Sequence, residues 1–113
     1  MRKDPRTFLE HILESIRLAK DYASGLSREA LSESRQAQDA IVRRIEIIGE
    51  AVKNLPQEIK TRHPEVPSSE MARMRDILIH AYFAIDLDEV WAVVRRDLPG
   101  LEKKIAAILA ELD

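Results

Sequence analysis

The 113-residue sequence predicts an all-α fold, a four- to five-helix up-and-down bundle, on three observations. Ala, Leu, Ile, Glu and Arg dominate while only two Tyr, two Phe and one Trp occur, a balance that favours helix over sheet. Apolar residues recur at three- and four-residue steps, the spacing of one face of a helix. Capping residues, prolines and a glycine fall where those periodic stretches begin and end. A chain of this length builds one hydrophobic core, so residues 1–113 are expected to form a single domain.

The first helix opens at Asp4-Pro5, where Asp can cap and Pro fits the first helical position. Phe8, Ile12, Ile16, Ala19 and Ala23 make one apolar face, and Gly25 is a natural stop. Ser27–Leu31 suits a single turn. The next helix is expected from Glu33 to Leu55, ahead of Pro56. Its Ile41, Ile45, Ile48, Val52 and Leu55 fall within about 80° of one another. Arg43, Glu46, Glu50 and Lys53 form a charge ladder on a different side. The like-charged pair Glu46 and Glu50 at i, i+4 is offset by the flanking Arg43 and Lys53. A second small apolar strip, Ala40, Ile47 and Ala51, sits apart from both, so this helix is expected to pack inside its own bundle and against another subunit. Gly49 costs about 1 kcal/mol in a helix interior, which points to close approach of another helix.

Pro56–Pro67 hold three of the five prolines and read as a connector with room for one helical turn. Ser68 or Ser69 caps the third helix, which carries Met71, Met74 and Leu78 inward. Asp86 with Glu89 three positions later resembles a capping box and starts a fourth helix that buries some of Val90, Trp91, Val93 and Val94. Leu98-Pro99 is expected to break that helix and start a last amphipathic one through Leu101, Ile105, Ile108 and Leu112.

Several function classes drop out. With no cysteine there is no disulfide, no thiolate metal site and no Cys nucleophile. The first twenty residues are studded with charge, and the longest uncharged run, Ile77–Ile85, has nine residues where a membrane helix needs roughly 20. A cytoplasmic protein is therefore expected. There is no Gly-rich phosphate loop, no H-E-x-x-H, and no Glu followed three residues later by His, so no metal or other cofactor is expected. His11 and His63 stand far apart in the chain and read as surface residues. A net charge of −2 lacks the basic footprint of most nucleic-acid binders, although Arg, the better phosphate fork, outnumbers Lys twelve to six.

One segment carries chemistry: Met74–Asp86, M-R-D-I-L-I-H-A-Y-F-A-I-D. Arg75, Ile79 and Tyr82 share one helix face, and Asp76 lies one turn before His80 on the neighbouring face, where its carboxylate can orient the imidazole. Arg75 and His80 are about 140° apart on a regular helix, so one copy focuses both on a phosphate only if the helix loosens; two copies can do so across a dimer. Spacing alone also fits an ordinary capped helix, with Arg75 on the surface, His80 favouring the helix dipole and Tyr82 half buried.

Met74-Arg75-Asp76-Ile77-Leu78-Ile79-His80-Ala81-Tyr82-Phe83 resembles the R-x-x-x-x-H-x-Y signature of HepT toxins in the HEPN superfamily. Arg43 to Val52 resembles the R-x-E-x-I-G-E-A helix of the same family, and Asp86 to Trp91 and Asp97-Leu98-Pro99 resemble its later helices. Asp76 stands where many relatives carry Asn, and Val66-Pro67 where many carry Trp. The resemblance implies a homodimeric HEPN-like bundle and a toxin that cleaves RNA without a metal, with Arg75 and His80 catalytic; the supporting role of Asp76 comes from its spacing to His80 alone. The resemblance also implies a small nucleotidyltransferase antitoxin that silences the toxin by adding AMP to Tyr82. The chemistry is coherent: imidazole moves protons near neutrality, and a guanidinium fork stabilises charge developing on phosphate. The rival expectation is a non-catalytic helical module that binds a nucleotidyltransferase, favoured by the net acidity and by Asp76.

Overall fold

Asp4 accepts the Arg6 backbone N–H at 3.0 Å and Pro5 follows it, so α1 (Pro5–Ala23) starts as its sequence dictates. The computed structural model describes residues 4–64, 66, 74, 77 and 86–112. The described elements are all helical: α1, α2 (Arg28–Glu33), α3 (Arg35–Lys53), α4 (Gln57–Arg62), α5 (Leu87–Ala92), a π-helical turn at Val93–Asp97, and α6 (Leu98–Leu112). None of these helices is long and apolar enough to cross a membrane.

Ile12, Ile16, Ala19 and Ala23 of α1 are buried as expected, joined by Leu9 and Leu13. Gly25 adopts φ +80°, a left-handed conformation that Gly enters without a Cβ clash. The single turn expected at Ser27–Leu31 is a six-residue helix capped by Ser27, whose hydroxyl accepts the Ala30 N–H at 3.0 Å. Ser34 ends it and caps α3 in turn, accepting the Ala37 N–H at 3.1 Å. That shared cap is why α3 starts at Arg35 and not at Glu33. In α3, Ile41, Ile45 and Ile48 are fully buried and Val52 nearly so, all against the core.

Two clusters fix α6 on α1. Near one end the Arg6 guanidinium donates to the Leu112 carbonyl at 3.1 Å. Near the other, Lys20 and Arg17 reach Glu102 at 2.6 and 3.2 Å. The start of one helix thus meets the end of the other, and the two run antiparallel. Lys20, by its hydrogen bond, holds the Glu102 carboxyl below its ordinary range; partial burial opposes this and Arg17 adds to it.

Asp86 caps α5 by accepting the N–H groups of Asp88 and Glu89 at 3.1 and 3.2 Å. The break expected at Leu98-Pro99 takes a different form. The chain stays helical from Leu87 to Leu112, and the Leu98 N–H bonds the Val93 carbonyl across a widened turn. Pro99 lacks the N–H for a regular bond to Arg95, and its ring would crowd that carbonyl; the π turn just before it takes up the mismatch. Arg95 of this turn stacks 4.5 Å over Trp91 and donates to the Leu26 carbonyl at 3.1 Å, while Arg28 pairs with Asp88 at 2.8 Å. These contacts tie the α1–α2 connection to α5. Met74 and Ile77 are also buried in the core, at 1% and 3% exposure, which bears out Met74 as an inward residue.

Candidate active site

The outward side of α3 borders an open cleft of about 1000 Å³. Its walls come from Phe8 and His11 of α1, Arg43, Glu46, Ile47 and the run from Gly49 to Leu55, Ile59 and Lys60 of α4, and His63, Val66 and Met74. The charged ladder read from the sequence faces this space: Arg43, Glu46, Glu50 and Lys53 all line it, and Arg43 is paired with Glu46. Ile47 and Ala51 of the second apolar strip line it too, both half-buried.

Gly49 has open space beside it in the described chain. A Cβ built there would meet nothing within 4 Å, so among the described residues no other helix makes the close approach that its position suggested. Gly49 instead lies on the cleft wall.

Arg75, Asp76, His80 and Tyr82 lie outside the described residues. What the structure does show is that Met74, the residue before Arg75 in the chain, is both a core residue and part of the cleft wall. Among the described residues no group of three or more His, Asp or Glu side chains is placed to hold a metal ion.

Two residues that the sequence reading left on the surface share this cleft. His11 is exposed on α1, and His63 is the residue that ends α4, its backbone N–H bonded to the Ile59 carbonyl at 3.0 Å. His63 is not a surface group: its side chain is only 12% exposed, and its Nε2 lies 3.2 Å from Glu111 Oε2 on α6. Nearby, Lys60 Nζ donates to the Lys53 carbonyl at 2.8 Å, which supplies a partner for the exposed end of α3. No spacing rule could have linked His11, His63 and Glu111, because helix packing alone brings them together.

Comparison with known proteins now places the chain. The model of the family described as ribonuclease HepT-like matches residues 12–108. A Thermococcus cleftensis protein named "Probable ribonuclease HepT" is 43% identical over 104 residues, covering 92% of this chain and 94% of that relative. A Caldanaerobacter subterraneus subsp. tengcongensis protein that carries an RNase name is 43% identical over 107 residues, covering 95% and 96%. A Methanocaldococcus jannaschii protein, whose name joins gamma-glutamylcyclotransferase to RNase, is 49% identical over all 113 residues, yet the chain spans only 51% of its length. No solved structure matches. The chain belongs to the HepT-like ribonuclease family, the branch of the HEPN superfamily that its motifs resemble.

Proposed function

We propose that this chain is a metal-independent endoribonuclease and the toxin of a toxin–antitoxin pair acting in the cytoplasm. The observation that carries the reading is family membership over nearly the whole chain combined with Arg75, His80 and Tyr82 at the positions of the R-x-x-x-x-H-x-Y motif. Cleavage joins the ribose 2′-oxygen to phosphorus and breaks the bond to the 5′-oxygen. His80 is the proton carrier, Arg75 neutralises the charge gathering on the phosphorane, and Asp76 orients the imidazole. One imidazole cannot take the 2′-OH proton and protonate the leaving oxygen in the same step, so a two-fold dimer supplies the second. The half-buried Ile47 and Ala51 on the outward part of α3 support such an assembly. The partner is a small nucleotidyltransferase that adds AMP to Tyr82, which places a bulky anion beside Arg75 and closes the site to RNA.

Catalysis is tested by RNA cleavage in EDTA with wild type, Arg75→Ala and His80→Ala. The wild-type rate should survive the chelator, and each variant should lose at least about 100-fold. An undiminished His80→Ala enzyme, free of contaminating nuclease, ends the proposal. Light scattering should give a dimer mass at micromolar concentration. Incubation with the transferase and ATP, followed by peptide mass spectrometry, should find AMP on Tyr82; Tyr22, 38% exposed on α1, is the competing acceptor whose labelling would defeat the assignment. The second reading, a non-catalytic module that binds the transferase, is favoured by Glu46 and Glu50 on the cleft wall. It requires tight transferase binding with no cleavage.

A further inference from the structure

We propose that the groove between α1 and α3, with Arg44 at its centre, is a self-complementary surface on which a second copy of this chain docks, each Arg44 meeting Glu14 of the partner subunit. The inference rests on the two-fold assembly of the reading above and names the surface and the ion pair that form it.

Arg44 is an unsatisfied cation. It is half-buried on α3, yet its guanidinium makes no hydrogen bond or ion pair among the described residues. Every other described arginine either has a partner or is exposed. Holding a guanidinium partly out of water without an anion is costly. Glu14, exposed on α1, is a carboxylate that likewise has no partner among the described residues.

The two groups lie on one surface. His11, Ser15, Leu18 and Tyr22 fall within about 60° on one flank of α1, with Glu14 at their outer edge. Ala37, Ala40, Arg44, Ile47 and Ala51 fall within about 80° on one flank of α3, all half-buried. His11, Ile47 and Ala51 line the same open space, so these flanks border one groove. The opposite flank of α1 holds α6 through Arg17 and Lys20, and the opposite flank of α3 holds α2 through Gln38.

The groove is matched to itself. α1 and α3 pack side by side and antiparallel, with Phe8 near the start of one beside the end of the other. Each has 19 residues, so their midpoints, Glu14 and Arg44, are level. Leu18 and Tyr22 stand across from the small Ala40 and Ala37. A two-fold axis along the groove lays each α1 over the partner's α3 at unchanged height. Arg44 then meets Glu14 of the partner subunit, and bulky side chains enter the low ground left by alanines. Tyr22, the exposed large apolar side chain of the described residues, becomes an anchor of the kind interfaces favour. Neighbouring charge supports the pairing: Glu10 and Asp21 extend the acidic edge of α1. On α3, Arg43 and Arg35 are engaged with Glu46 and Asp39, and Glu50 lies nearly two turns from Arg44. Two helices about 28 Å long and about 9 Å apart offer roughly 500 Å² per copy, so a pair reaches the roughly 1000 Å² that specific interfaces need.

The test is a charge swap read by light scattering across a dilution series. Arg44→Glu and Glu14→Arg should each weaken the dimer at least about 10-fold, since each sets like charges face to face. The double variant should recover most of the wild-type affinity. An equimolar mixture of the two single variants should form a heterodimer, because both pairs are then of opposite charge. Tyr22→Ala should also weaken the dimer by about 10-fold or more. Circular dichroism melts confirm that each variant is folded, and association in the mixture confirms it independently. Single variants that dimerise like wild type overturn the proposal. So do folded single variants that neither the double substitution nor mixing restores. If wild type is a dimer indifferent to every swap, only this inference falls. If wild type is a monomer at micromolar concentration, the two-fold reading falls and takes this one with it.

Discussion

The two sides of α3 obey different rules although they alternate along one helix. Toward α1, Ile41, Ile45 and Ile48 are sealed from solvent, and each side chain is worth about 1.5–3 kcal/mol for leaving water. Toward the cleft, Arg43, Glu46, Glu50 and Lys53 stay exposed around a glycine that nothing in the described chain requires. The inward side answers to packing density, where neighbours punish any change of volume. The outward side answers to charge and to whatever approaches from outside. Stability and function are therefore interleaved on this helix, and substitutions a residue or two apart should have opposite consequences.

The contrast can be broken most readily by Ile45→Ala. A fully buried isoleucine should cost about 2–5 kcal/mol in urea unfolding; a loss below about 1 kcal/mol would mean the inward side is not tightly packed. Ser34→Ala removes the hydroxyl that caps α3 and should cost about 1 kcal/mol, with Ser34→Asp keeping most of it. On the outward side the sign reverses. Gly49→Ala should raise stability by up to about 1 kcal/mol, since the new methyl meets nothing and a helix-interior glycine is costly. An earlier melting midpoint for Gly49→Ala would reveal a neighbour against the helix.

The smallest effect lies away from α3. Glu102→Gln should destabilise by at most about 1 kcal/mol at pH 7, because Arg17 and Lys20 remain substantially exposed. Its sign with pH is fixed by the lowered carboxyl of the folded state. The wild-type advantage is complete above the ordinary glutamate range, about pH 4.3, and disappears as pH falls through the folded value. Thermal melts of both proteins from pH 7 to pH 2 should converge on the acid side.

Much of this fold was legible because its signals are local. The Asp4-Pro5 start, the apolar spacing from Ile12 to Ala23, the Gly25 stop and the Asp86 cap each depend on residues within a few positions, and each formed as read. Glu33 was misplaced because apolar periodicity does not register a cap, and Ser34 serves two helices at once. Pro99 was read as a break because proline disrupts a regular turn, whereas a turn already widened to the π form accommodates it. The candidate site divided along the same line. Arg75, Asp76, His80 and Tyr82 stood out as a compact motif, and they lie outside the described residues. The grouping of His11, His63 and Glu111 depends on how three helices meet, and periodicity carries no information about it.

The antiparallel embrace of α1 and α6 makes the described chain almost a closed loop. Arg6 touches the carbonyl of Leu112, so the opening turn of the first helix and the closing turn of the last occupy one pole of the molecule. A short linker could join them without crossing the core. New ends could then be cut at Gly25, whose surroundings leave open space, and the same helices would come together in a rotated order. Conversely, anything fused at the start of α1 or the end of α6 would hang from that shared pole, beside Glu111 and the His63 it holds.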